Sequence, residues 1–175
     1  MLWGRNLALL AVALVLTACA EVATPLSDDR AIDIQLAADG LRLAGSDQRI
    51  DFGRSQAGVI AAVSKLLDAR PANRVRNNEC GAGPITTVSY GAGLDLLFLK
   101  GVFRGWASKD ATLVATNGFS TLLNRSILND AGVHGFQQTS LGTEFSDVGI
   151  SGILDGAGPN ARVTLLWAGV NCFFR

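Results

Sequence analysis

The residues that could do covalent chemistry in this chain are few: cysteines at 19, 80 and 172, and a single histidine, His134. Cys80 lies in the string Glu79-Cys80-Gly81-Ala82-Gly83-Pro84. A cysteine nucleophile needs a base within hydrogen-bond reach. A thiol or carboxylate hydrolase would therefore have to bring Cys80 or Glu79 against His134. In Val133-His134-Gly135 the imidazole also reads as an ordinary loop residue. A serine hydrolase wants G-x-S-x-G or an equivalent, and Gly118-Phe119-Ser120-Thr121-Leu122 lacks the second glycine.

Other chemistries are weaker still. Glycoside hydrolysis needs two placed carboxyls, and nothing in the spacing of Glu79, Asp95, Glu144 and Asp147 pairs them. Asp95, between Leu94 and Leu96, is expected to find Arg104 across a hairpin if it is buried. One histidine, no C-x-x-C and dispersed carboxylates fall short of a metal-ligand set. Gly81-Ala82-Gly83, Gly91-Ala92-Gly93 and Gly156-Ala157-Gly158 stop at G-x-G, short of a dinucleotide fingerprint, and read as turns. No cofactor and no metal is expected. Fifteen basic residues balance fifteen acidic ones, which leaves no basic footprint for nucleic acid.

The elements that must carry these residues are legible in part. Ala31 to Leu36 alternates apolar and polar, the strand period; Asp39-Gly40 is a hairpin turn, and Leu41 to Leu43 continues the alternation. Ser55 can cap a helix running to Ala69, with Val59, Ala62, Val63, Leu66 and Leu67 at helical spacing and Pro71 as its stop. Arg70 to Asn78 reads as a polar loop. Ile85–Tyr90, Leu94–Leu99 and Val102–Trp106 read as strands, the last two a hairpin about Lys100-Gly101. Leu113–Thr116 is a further strand candidate. Asn124 caps a short helix, Arg125–Ala131, ending at Gly132. Ile150–Leu154 and Val163–Trp167 form a second hairpin.

The N-terminus decides the address. Arg5 precedes ten apolar residues, Leu7 to Leu16, followed by Thr17, Ala18 and Cys19, the plan of an export signal. Ten residues make a helix of about 15 Å, half of a ~30 Å hydrocarbon core. Leu16-Thr17-Ala18-Cys19 resembles the lipobox of bacterial lipoproteins. The resemblance implies cleavage before Cys19, a diacylglycerol on its thiol and a third acyl chain on the new amine. Residues 1–18 are then the signal, and 19–30 a lipidated tether in which Pro25, Ser27, Asp28 and Asp29 break regular structure. Ala20 after the anchor resembles the outer-membrane sorting pattern. With Cys19 acylated, Cys80 and Cys172 remain as a pair in an oxidising compartment, where pairing is the default. A bridge would close a loop of about 90 residues, worth up to ~4.7 kcal/mol by the chain-entropy model. A reactive thiol at Cys80 is the alternative.

Val102-Phe103-Arg104-Gly105-Trp106-Ala107 and Val163-Thr164-Leu165-Leu166-Trp167-Ala168 share V-x-x-x-W-A, and each follows a candidate helix. This similarity suggests duplication of one unit. The expected fold class is α+β: two tandem helix-on-antiparallel-sheet units, 31–109 and 110–175, after the cleaved signal. That order resembles β-lactamase inhibitory protein and, as a single unit, lipoproteins of the SmpA/OmlA type. Separately, E-C-G-A-G-P with Gly93-Leu94, Phe103 and Gly105-Trp106 resembles a group of uncharacterised bacterial lipoproteins. Trp106 and Trp167, at matching places, could share an aromatic binding surface or close the core of each unit.

The expectation is an envelope lipoprotein, not an enzyme, held to the membrane by its lipid and probing the periplasm from the outer membrane. Its body would be a binding or structural module for an envelope protein or a cell-wall component. The alternatives are an envelope hydrolase using Cys80 or a carboxylate with His134, and an inhibitor of a secreted enzyme by architectural analogy.

Overall fold

The computed structural model describes residues 34–91 and 93–173. The leader, Cys19 and the tether lie outside the described residues. In chain order the elements are β1 (Ile34–Ala37), β2 (Gly40–Leu43), β3 (Arg49–Asp51), α1 (Gln56–Leu66), β4 (Asn73–Asn77), β5 (Ile85–Tyr90), β6 (Leu94–Leu99) and β7 (Val102–Ser108). They continue with α2 (Arg125–Asp130), β8 (Gln137–Thr139), β9 (Gly142–Asp147), β10 (Ile150–Leu154) and β11 (Val163–Gly169).

The expected pair of tandem helix-on-sheet units is not what these elements build. Strands occupy 43% of the described residues and helices 12%. One antiparallel sheet of eight strands, in the order β4-β5-β6-β7-β11-β10-β9-β8, takes in both halves of the chain, and β1-β2-β3 form a second sheet. The reason lies in β7 and β11. Each would be the closing strand of its own unit, but they pair with each other, and so satisfy the backbone groups that two separate sheets would leave open at their edges. α2 is six residues long, too short to cover a sheet alone. One core cluster runs from Ile34 to Ala168, so it crosses the point at 109/110 where two units were expected to part.

The segment read as a polar loop, Arg70–Asn78, contains the edge strand β4, whose residues are mostly exposed. Its sequence, NRVRN, has no apolar alternation because neither face is buried, and charge on an edge strand discourages pairing with another molecule. β8 is similarly polar. Leu113–Thr116 is not a regular strand. It makes a single parallel bridge, Leu36 to Ala115.

α1 forms as its pattern requires. Ser55 accepts from the Gly58 amide, Val59 and Val63 are buried, and Lys65 lies in the last turn, where a cation suits the helix dipole. The Tyr90 hydroxyl, 2.9 Å from Ser64 Oγ, donates to the Ile60 carbonyl at 3.1 Å and so ties the helix to β5. At the β6–β7 turn both Lys100 (φ 52°) and Gly101 (φ 76°) are left-handed, as a two-residue hairpin turn of the primed type demands.

Register separates the two faces of the large sheet, since cross-strand partners point the same way. Val88, Leu96, Trp106, Ala168 and Ile150 form one cross-strand row. All belong to the main core beneath α1, α2 and the small sheet. The adjacent row, Ser89, Asp95, Ala107, Trp167, Ser151 and Ser146, faces the other way.

Candidate functional site

This second, outer face carries the two cysteines and two hollows; a larger hollow, of about 580 Å³, lies between β3 and α1 beside Arg49, Ile50, Lys65 and Leu66. The apolar centre of the outer face is a separate cluster: Cys80, Ile85, Leu97, Ala107 and Trp167, with Ile153, Leu165, Val170, Cys172 and Phe173 packed against it and partly exposed. The C-terminal strap supplies the last three. Val170 donates its amide to the Arg104 carbonyl at 2.8 Å. Asn171 Nδ2 reaches the carbonyls of Trp106 (3.4 Å) and Ala168 (3.2 Å). Phe173 then stands edge-on to Trp167, ring centroids 4.9 Å apart. Gly105 makes this crossing possible: a Cβ there would lie 2.2 Å from the Val170 oxygen, so only glycine lets the strap come this close.

Two hollows flank the aromatic pair. One, of about 230 Å³, is lined by Asn77, Thr87, Asp95, Lys109, Cys172 and Phe173 among others. The other, of about 310 Å³, is lined by Gln137, Glu144, Ser146, Ser151 and Trp167 among others. Glu144 is buried and accepts a hydrogen bond from the Thr139 hydroxyl. Both hollows are shallow and polar-rimmed, with aromatic surface between them.

The structure brings Cys80 and Cys172 together. They are free thiols, and Cys172 is held in its protonated form by a hydrogen bond with Cys80, by burial and by the Cys80 charge, against the opposing pull of the Gly81 amide. Asn77 Nδ2 donates to Cys172 Sγ at 3.6 Å. The turn that carries Cys80 closes on itself, Gly83 donating to the Cys80 carbonyl at 2.8 Å. Cys80 is buried, and Cys172 is half-buried beside the first hollow.

It does not bring Cys80 to His134. Cys80 sits between β4 and β5, whereas exposed His134 is three residues before β8, at the opposite edge of the sheet. Six strand spacings from β5 to β8 span on the order of 30 Å, and three residues of chain recover only about 10 Å. Glu79, beside Cys80, is exposed and donates its amide to Asn77 Oδ1 at 2.8 Å. Asp95 and Arg104 do not pair either. Asp95 faces Ala107, three residues along β7 from Arg104, and the ion pairs among the described residues join Asp39, Arg42, Arg49 and Asp51 on the small sheet.

The two tryptophans do not share a surface. Trp106 is fully buried in the main core, its indole N–H donating to the Ala37 carbonyl at 2.7 Å. Trp167 is on the outer face, 8% exposed under Phe173. Sequence reasoning singled out Trp167 and Cys172 but missed Asn77, Lys109, Asn171 and Phe173. Their only sequence signal was proximity to a cysteine or to a strand end. Among the described residues no cluster of His, Cys, Asp and Glu could hold a metal ion.

Neither a family model nor a curated protein sequence matches the chain. Among solved structures, the uncharacterized protein yfeY from Escherichia coli is similar in fold, with a TM-score of 0.54 at 10% identity over 78% of this chain and 99% of that one. At that identity the likeness concerns the backbone fold alone.

Proposed function

We propose that this chain is a bacterial envelope lipoprotein, fixed to the membrane through acyl chains on Cys19, whose body is a non-catalytic module that binds an envelope protein with the outer face of its large sheet. The observation that carries the binding reading is the make-up of that face. Trp167 and Phe173 stand at its centre with Ile153, Leu165 and Val170, and Thr87, Asp95, Lys109, Gln137, Ser146 and Ser151 surround them. An aromatic centre inside a polar rim is the composition of protein-binding patches. The anchor rests on the leader and Leu16-Thr17-Ala18-Cys19. Three acyl chains bury several tens of methylenes at ~0.8 kcal/mol each, which makes attachment effectively permanent. The chain between Cys19 and Ile34 can reach at most about 50 Å, enough to hold the body clear of the headgroups.

Against a hydrolase built on Cys80, that thiol and His134 sit at opposite ends of the sheet; the carboxylate nearest the His134 segment, Glu144, is buried and engaged by the Thr139 hydroxyl. The test has two arms. Cells fed a radioactive fatty acid should label the wild-type chain and not Cys19→Ser; a labelled variant refutes the anchor. A photo-crosslinking amino acid at Ser151 or Thr87, on the outer face, should capture a discrete envelope protein that the same group at exposed Ser46, in the turn between β2 and β3, does not. Equal capture from both places refutes the binding face.

A further inference from the structure

We propose that Cys80 and Cys172 are a dithiol–disulfide site whose oxidation clamps the C-terminal strap over Trp167, so that the redox state of this pair sets how much of the outer face is open. The regulatory consequence rests on the binding reading above; the clamp itself does not.

Three observations carry it. First, the two thiols meet although 91 residues lie between them in the chain. They share one apolar cluster, and Asn77 holds the Cys172 sulfur from the side. Second, the strap is fastened unevenly. Val170 and Asn171 are tied to the sheet by hydrogen bonds to the carbonyls of Arg104, Trp106 and Ala168. Beyond them, among the described residues, the strap has no backbone hydrogen bond to the sheet. Cys172 and Phe173 are held through their side chains, one by Cys80 and Asn77 and the other by Trp167. Third, the ring so held is the cover of Trp167. A covalent bond at Cys172 would fix the adjacent Phe173; without it the cover rests on the weak contacts of the Cys172 thiol with Cys80 and Asn77 and on one aromatic contact worth about 0.5–1.5 kcal/mol beyond area burial, ties of the size at which local segments open spontaneously.

The exposures assign the order of events. Half-buried Cys172 faces the hollow, whereas Cys80 is 7% exposed. The oxidant is a disulfide-bearing thiol oxidoreductase or a small disulfide. Cys172, once its proton has passed to water, attacks one sulfur of that disulfide, forming a mixed disulfide and expelling the other sulfur as a thiolate. Cys80, after losing its proton to water, attacks Cys172 Sγ. The Cys80–Cys172 bond forms, and the oxidant's second sulfur leaves as a thiolate. Two electrons pass to the oxidant, and the two protons lost by the cysteines end on its thiols.

The test uses the full chain extracted in detergent and treated with oxidised glutathione or with dithiothreitol. Peptide mapping should find Cys80 linked to Cys172 after oxidation, the pair lighter by about 2 Da for the two hydrogens lost. Acrylamide quenching, taken as the difference between wild type and Trp167→Phe, should rise severalfold on reduction. Cys172→Ser should show the high value under both conditions, and oxidised Phe173→Ala should show it too. Failure to link the two peptides, or linkage to Cys19 instead, overturns the site. Linkage with no change in quenching overturns the clamp. If both results hold while Ser151 crosslinks capture no partner, the binding reading fails and the clamp stands.

Discussion

Trp106 and Trp167 occupy adjacent central strands but opposite faces of the same sheet: Trp106 pairs with Ala168, and Trp167 with Ala107. A shift of one residue in pairing carries a side chain through the sheet. The shared V-x-x-x-W-A therefore places one indole in the main core and the other in the outer cluster. The two make different contributions, and that difference can be measured.

Trp106→Phe removes the indole N–H that satisfies the buried Ala37 carbonyl. An acceptor left unsatisfied costs about 1–3 kcal/mol, and the lost volume adds to it. Trp167→Phe leaves no buried acceptor behind and should cost less than half as much. Urea unfolding followed by circular dichroism gives both values. Equal losses would mean that the hydrogen bond to Ala37 contributes nothing.

Tyr90→Phe cuts the tie between β5 and α1 by removing the hydroxyl that meets Ile60 and Ser64. The expected loss is about 0.5–1.5 kcal/mol. Amide exchange should quicken most in α1, since the rest of Tyr90 stays packed. An unchanged α1 would show that apolar contact alone seats the helix.

Gly105→Ala should lift the strap. Its Cβ would meet the Val170 oxygen at 2.2 Å and the Ala168 oxygen at 3.0 Å, both backbone atoms that cannot rotate away. Overpacking of this kind costs about 1–3 kcal/mol. Under reductant, Cys172 should be alkylated faster than in the wild type, whereas Gly45→Ala, with open space around it, should leave alkylation unchanged.

The reduced protein should lose stability at alkaline pH through Cys172. Its thiol is held above the ordinary range first by the hydrogen bond with Cys80, then by burial and by the Cys80 charge. The unfolded chain therefore releases this proton at lower pH than the folded one. The stabilisation is complete below the unfolded value, and is lost as pH rises through the folded value. Urea midpoints taken under reductant from pH 7 to pH 10 should fall more steeply for wild type than for Cys172→Ser. Parallel curves would show that the contact between the two sulfurs does not shift the thiol.

Local structure was most legible where an apolar period and a cap or turn signal coincide; β9 was missed although Thr143, Glu144 and Phe145 are buried, because its sequence GTEFSD carries one large apolar residue. α1 announced itself through Ser55 and the spacing of Val59 and Val63, and the β6–β7 hairpin through two apolar runs about Lys100-Gly101. β4 and β8 did not, because an edge strand exposed on both faces has no hydrophobic period to read. The outer face was half legible. Trp167 and Cys172 stood out as types, but Asn77, Lys109 and Phe173 gain their meaning only from what lies across the sheet from them.

By itself the sequence determined the principal hairpins, and it carries the expectation of a leader and of a lipid on Cys19. All of these depend on residue types at short separations. Tertiary structure alone decided that β7 and β11 join two half-sheets into one, that His134 and Cys80 stand at opposite ends of it, and that the segment after β11 turns back to lay Phe173 on Trp167. Those are long-range pairings, set by which strand edges satisfy one another's hydrogen bonds and which faces bury together, and no local pattern encodes them.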